Sequence, residues 1–197
     1  MSLIKSISGI RGTIGGKVDD NLTPVDVVKF TAAFGTWLQK TQNKKELTLV
    51  IGRDARISGA MVNSLVTATL QGLGINVVDL GLSTTPTVEV MVPELKADGG
   101  IILTASHNPK QWNALKLLNE KGEFISGKDG AEMLEIAEKE DFNFAEVDDL
   151  GKYETRTDAF DIHIQKILDL PMVDAEAIKS KKFKVVLDAV NSTGGIS

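Results

Sequence analysis

No cysteine occurs in the 197 residues. A disulfide framework and a thiolate metal site are therefore both excluded, and the absence fits a cytoplasmic protein. Histidine is scarce, with His107 and His163 the only two. Basic residues are outnumbered, 22 Lys+Arg against 27 Asp+Glu, for a net charge of −5. That balance argues against a nucleic-acid partner, which needs a basic face. It leaves room for phosphate ligands, which a few placed arginines bind locally. Apolar runs are too short to span a bilayer. The opening Met1-Ser2-Leu3-Ile4-Lys5 lacks the apolar core and cleavage site of a secretory signal. A soluble cytoplasmic protein without membrane or nucleic-acid partners is expected. Neither G-x-G-x-x-G nor G-x-x-x-x-G-K-[ST] is present, which weighs against a nucleotide-binding domain.

What is present is a 42% hydrophobic chain, enough for a sizeable core, in which strand and helix signals alternate. Thr23-Pro24-Val25-Asp26 starts a helix, with a threonine cap, proline in the first turn and an acid three residues after the cap. Residues 47–51 read as a strand. Ser58 is expected to cap a second helix, carrying Met61, Val62, Leu65, Val66, Leu70 and Leu73 at helical spacing, which Gly74 ends. A strand at 75–80 follows, then a helix from Thr85-Pro86 that Pro93 kinks or ends. Residues 101–104 have a buried-strand pattern. Residues 114–118 form a further strand, Lys121-Gly122 a hairpin turn, and 127–139 a helix. Residues 131–149 hold eight acids against one lysine and read as a solvated helix and linker. The fold class expected is α/β, a three-layer α/β/α sandwich with a mixed, mostly parallel sheet. It occupies residues 1–150, and a partial second α/β unit occupies 156–197, with a helix to about residue 170 and a strand at 183–187.

The central constellation is Thr104-Ala105-Ser106-His107-Asn108-Pro109, directly after a buried strand. Ligands in such sheets collect at the carboxyl ends of strands. Asn108-Pro109 favours a turn that fixes the direction of Ser106; an ordinary polar turn is the alternative reading. His107, as a chain neighbour, is poorly placed to act as base for Ser106. His163 sits in a helical apolar pattern and reads as structural. Arg11, between Gly9 and Gly12, suits a two-point phosphate clamp or a salt bridge within its turn. Arg53, Asp54 and Arg56 suit either an anion site at a helix start or a structural network. Lys116 alone reads as a surface lysine on a strand.

The string TASHNP resembles the active-serine motif of the α-D-phosphohexomutase family, which includes phosphoglucomutases, phosphomannomutases and phosphoglucosamine mutases. Three more segments agree in family order: Ser8-Gly9-Ile10-Arg11-Gly12, Gly52-Arg53-Asp54-Ala55-Arg56-Ile57-Ser58-Gly59, and Gly81-Leu82-Ser83-Thr84-Thr85-Pro86. Val185-Val186-Leu187-Asp188 resembles the strand of the family's second domain. The resemblance implies domain I of a four-domain enzyme at 1–150 and the opening of domain II at 156–197. It implies that Ser106 carries a phosphoryl group, gives it to a hexose monophosphate, and recovers one from the hexose 1,6-bisphosphate so formed. It makes Lys116 a proton-transfer group and Arg11, His107, Asn108 and Arg53 phosphate or substrate contacts. Magnesium is expected on the serine phosphate and three aspartates of a DGDGDR-type loop; that loop, a GEXSG-type sugar loop and a terminal phosphate loop do not occur here. Only Ser106 would serve as a metal ligand, and the chain reads as an inactive fragment whose partners are hexose phosphate and domains II–IV. Its tail is expected to dock on the first domain or on a second copy, forming a homo-oligomer. Ala114 stands where the family pattern usually has glycine. A non-catalytic phosphosugar-binding module is the main alternative. A serine hydrolase is weaker, for want of G-x-S-x-G and a suitable histidine.

Overall fold

A computed structural model describes residues 2–6, 9–42 and 44–197. The element order is β1 (Ile4–Ser6), β2 (Gly9–Thr13), α1 (Pro24–Thr41), β3 (Thr48–Arg53), α2 (Gly59–Gly72), β4 (Asn76–Leu82) and α3 (Thr85–Glu94). Then come β5 (Gly99–Leu103), β6 (Trp112–Leu118), α4 (Gly127–Lys139), β7 (Tyr153–Thr155), α5 (Ala159–Leu168) and α6 (Ala175–Ser180). Seven strands form one sheet in the order β1-β2-β6-β5-β3-β4-β7. β7, β4, β3 and β5 are mutually parallel, and β6, β2 and β1 add antiparallel in turn. β2 therefore points with the parallel block, and the expected mixed, mostly parallel sheet is what forms.

Strand periodicity divides the core between the two faces of the sheet. Leu49, Ile51, Ile101, Leu103, Leu115 and Leu117 face one cluster, with Phe30 and Phe34 of α1, Val62 and Val66 of α2, and Met133 of α4. Val50, Ile102 and Leu118 face the other, with Val88, Met91 and Val92 of α3 and Ala159 of α5. Three layers result. Caps fix where the helices begin. Thr23 and Asp26 form a reciprocal capping box, as do Ser126 and Asp129, and the Thr84 hydroxyl accepts from the Thr87 N–H. Ser58 differs from expectation: it makes no side-chain cap bond to α2. Its hydroxyl instead accepts from Asn113 Nδ2 at 2.9 Å, tying the helix start to β6. Among the described residues no helix is long and apolar enough to cross a membrane.

The chain beyond residue 150 partly joins this body. β7 pairs with β4, and the Tyr153 hydroxyl donates to Asp79 Oδ2 at 2.9 Å. On α5, His163 Nδ1 lies 3.0 Å from Thr87 Oγ1 and Lys166 pairs with Glu94 at 2.6 Å. The expected docking of the tail thus holds for α5, and His163 has the structural place read for it. The expected strand at 183–187 does not form. Its side chains face solvent, Val186 at 97% exposure, because no strand edge lies beside them among the described residues.

Candidate active site

β5 ends buried at Leu103, and the chain turns back into β6 through 104–111. Leu103 opposes Leu115 and Ile102 opposes Lys116 across the antiparallel pair. On the far side of β6, Arg11 of β2 opposes Ala114. The sheet therefore brings the serine loop, Lys116 and Arg11 to one place. They line a cavity of about 200 Å³ together with Gly9, Thr104, Ala105, His107, Asn108 and Ala114. Gly9 is at φ +114, and a Cβ there would fall 2.1 Å from the Leu115 carbonyl oxygen, so only glycine lets β2 pass this close. Ser8 of the same motif lies outside the described residues.

Ser106 is exposed with φ +54, the left-handed region, which disfavours a residue bearing a Cβ by roughly 1–2 kcal/mol. Its backbone N–H donates to Thr104 Oγ1 at 3.1 Å, and the Thr104 hydroxyl donates to Asp54 Oδ2 at 2.6 Å. No protein group bonds its hydroxyl among the described residues. In particular, no histidine or carboxylate reaches it, which removes the geometry a serine hydrolase needs.

The arginines divide by their partners. Arg11 Nε is buried and has no hydrogen-bond partner among the described residues. An unsatisfied buried donor costs about 1–3 kcal/mol, more when charged; an anion in the cavity would satisfy it. Arg56 is engaged throughout. Its Nε donates to Asp54 Oδ2 at 3.0 Å and its terminal nitrogens to the carbonyls of Ser106, Asn108, Pro109 and Trp112 at 2.8–3.0 Å. Arg53 lies outside the cavity and donates to the Asp54 carbonyl at 3.2 Å. Of the expected site residues, Arg11, Ser106, His107, Asn108 and Lys116 meet in the cavity, and Arg53 does not.

Two neighbours of Lys116 had no motif to mark them. Phe124 returns beside β6 through the Gly122 turn, with an antiparallel bridge to Leu118, and its ring centre lies 5.6 Å from Lys116 Nζ. The hairpin reading at Lys121-Gly122 was the signal that could have placed it. Glu89 of α3 is half-buried, and burial holds its carboxyl above the usual range, with the Lys116 charge partly opposing this. A carboxyl whose folded pKa is raised is penalised once both states ionise. Glu89→Gln should therefore raise the denaturant midpoint at pH 7. The gain should vanish below the ordinary carboxyl pKa, where folded and unfolded chains both hold the proton. Equal midpoints for the two proteins at pH 7 would show that the burial carries no penalty.

Metal donors are sparse. Among the described residues no group of three or more acidic, histidine or cysteine side chains could hold a metal ion. Asp54, the carboxylate tied to the serine loop, has both oxygens engaged by Arg56 and Thr104. These residues do not by themselves make a magnesium site.

Comparison with known proteins bears on the family and the fold. The sequence profile of phosphoglucomutase/phosphomannomutase, alpha/beta/alpha domain I, matches residues 3–144. The phosphoglucomutase/phosphomannomutase of Thermococcus kodakarensis is 34% identical over 188 residues, covering 94% of this chain and 40% of that protein. The phosphoglucosamine/phosphogalactosamine mutase of Sulfurisphaera tokodaii is 34% identical over 198 residues, covering 100% of this chain and 41% of that protein. The chain thus spans about two fifths of these relatives' length. A phosphoglucomutase/phosphomannomutase family protein from Burkholderia thailandensis superposes with a TM-score of 0.70, at 23% identity over 84% of this chain and 35% of that one, a likeness of fold. The chain belongs to the phosphoglucomutase/phosphomannomutase/phosphoglucosamine mutase family and matches its domain I.

Proposed function

We propose that this chain is the phosphoserine-bearing part of a phosphohexose mutase, interconverting hexose 1-phosphate and hexose 6-phosphate through a hexose 1,6-bisphosphate. The observation that carries this reading is the exposed Ser106 hydroxyl sharing a cavity with Lys116 and with Arg11, whose buried Nε has no partner among the described residues. In the forward step the bond between phosphorus and the Ser106 oxygen breaks, and one forms to a sugar hydroxyl. The net proton moves from that hydroxyl to the serine oxygen. Lys116 protonates the serine oxygen as it leaves, the sugar hydroxyl releases its own proton to solvent, and both transfers run in reverse when the sugar's other phosphate returns to Ser106. Storing the phosphoryl group covalently divides one difficult transfer into two easier ones. Arg11, with His107 and Asn108 at the cavity wall, holds the phosphoryl oxygens, since this transfer depends on positioning and on neutralising spread negative charge. Magnesium, bound to the serine phosphate, would add to that neutralisation, with its remaining ligands supplied from outside the described residues. Residues 156–197 open a second unit, whose exposed 183–187 segment would become a strand only on pairing with a neighbour or a second copy of the chain.

The test is to treat the full-length protein carrying these residues with hexose 1,6-bisphosphate and map phosphate by mass spectrometry. Phosphate on Ser106 is expected. Sugar-phosphate binding with Ser106 never phosphorylated would make this a non-catalytic binding module. The 197 residues alone, with no metal-ligand cluster among the described ones, should show no mutase turnover and only weak magnesium binding by calorimetry. Robust turnover would overturn that part of the reading.

A further inference from the structure

A guanidinium carries five N–H donors, and Arg56 uses all five on protein acceptors. It has none left for a phosphate, although it lies beside the serine loop, and its side chain is only 10% exposed. Four of the acceptors are carbonyls between Ser106 and Trp112, so one cation, itself not part of the cavity lining, gathers the loop's oxygens. The fifth is Asp54, which leads back to the same residue. Asp54 Oδ2 accepts from Thr104 Oγ1, and Thr104 Oγ1 accepts from the Ser106 N–H. The N–H and the carbonyl of Ser106 are thus held by one closed ring of Arg56, Asp54 and Thr104. That ring maintains the left-handed backbone at Ser106, a conformation a serine does not keep unaided.

Resting on the reading of Ser106 as the phosphoryl carrier, we propose that Arg56 is a positioning residue, which with Asp54 and Thr104 aims the Ser106 hydroxyl into the cavity without touching substrate. Misplacing a reacting atom by about 1 Å costs roughly 10²-fold in rate. Arg56→Ala in the full-length protein should therefore lower kcat by roughly 10²-fold, with KM held within about threefold, since no binding contact is removed. Free guanidinium at sub-denaturing concentration should restore about tenfold of the loss, because it offers the missing planar donor fork. Arg56→Lys should remain impaired, since an ammonium has three donors and no fork. In the 197-residue chain, amide exchange at Ser106 should accelerate in both variants, and in Arg56→Ala it should slow again with guanidinium. A KM increase with unchanged kcat would make Arg56 a phosphate ligand and overturn the proposal. Unaltered exchange at Ser106 would overturn it as well. If Arg56→Ala fails to fold, Arg56→Lys and Thr104→Val carry the same kcat, KM and exchange measurements. Wild-type protein that never phosphorylates Ser106 would refute the mutase reading alone, while the exchange data still decide whether the ring holds the serine.

Discussion

Ser106→Ala should abolish phosphoryl exchange in the full-length protein, by at least about 10⁴-fold, as removal of a covalent nucleophile does. The fold should be almost indifferent to the change. The Ser106 hydroxyl bonds no protein group among the described residues, and its backbone N–H and carbonyl keep their partners Thr104 and Arg56 in the variant. Alanine at φ +54 meets the same steric cost as serine, so the stability change should stay within about 0.5 kcal/mol. Turnover assays and thermal melts on the same preparations separate the two effects. Near-normal turnover in the alanine variant would remove Ser106 from the chemistry altogether.

Lys116→Met has the second largest expected effect. A proton-transfer group acts chiefly in the transition state, so kcat should fall roughly 10²- to 10⁴-fold while KM changes little. Methionine keeps the length of the stem and a favourable contact with the Phe124 ring, which limits any loss of packing. Steady-state kinetics give the answer directly. A raised KM with unchanged kcat would mark Lys116 as a binding contact and leave the proton carrier to be found elsewhere. Glu89 supplies a useful control, since it is a carboxyl of α3 on which the Lys116 charge acts.

Much of this arrangement was legible from local patterns. Short apolar runs in 47–51 and 101–104 announced strands, because a sheet covered on both faces buries successive positions along them. Thr23 and Asp26 announced the start of α1, because a capping box is a local bargain between residues three apart. The cavity members Arg11, Ser106, His107, Asn108 and Lys116 were found through their motifs. What escaped depends on contacts far apart in sequence. Ser58 has the residue type and position of a cap, yet Asn113, distant in the chain, claims its hydroxyl. Arg56 could be read as anion ligand or network member, and only the fold around it shows that its donors are spent. Glu89 and Phe124 carry no motif and reach Lys116 through helix packing and a hairpin. The apolar run at 183–187 has strand propensity, but a strand also needs an edge to pair with.

The grip of Arg56 on the loop also bears on how this segment tolerates insertions and deletions. Side chains along β6 alternate between the two faces of the sheet, so shifting the strand by one residue exchanges every inward position for an outward one. With Ile102 opposite Lys116 and Leu103 opposite Leu115, the spacing between β5 and β6 decides that an ammonium, rather than Leu115 or Leu117, borders the serine. A slack loop would absorb a lost or gained residue. This one is pinned at Ser106, Asn108, Pro109 and Trp112, so the change is passed on to the strand. A single deletion between Ser106 and Trp112 would then turn Lys116 toward the face packed by α1, α2 and α4 and present a leucine to the serine loop, with every residue of the candidate site still in the chain.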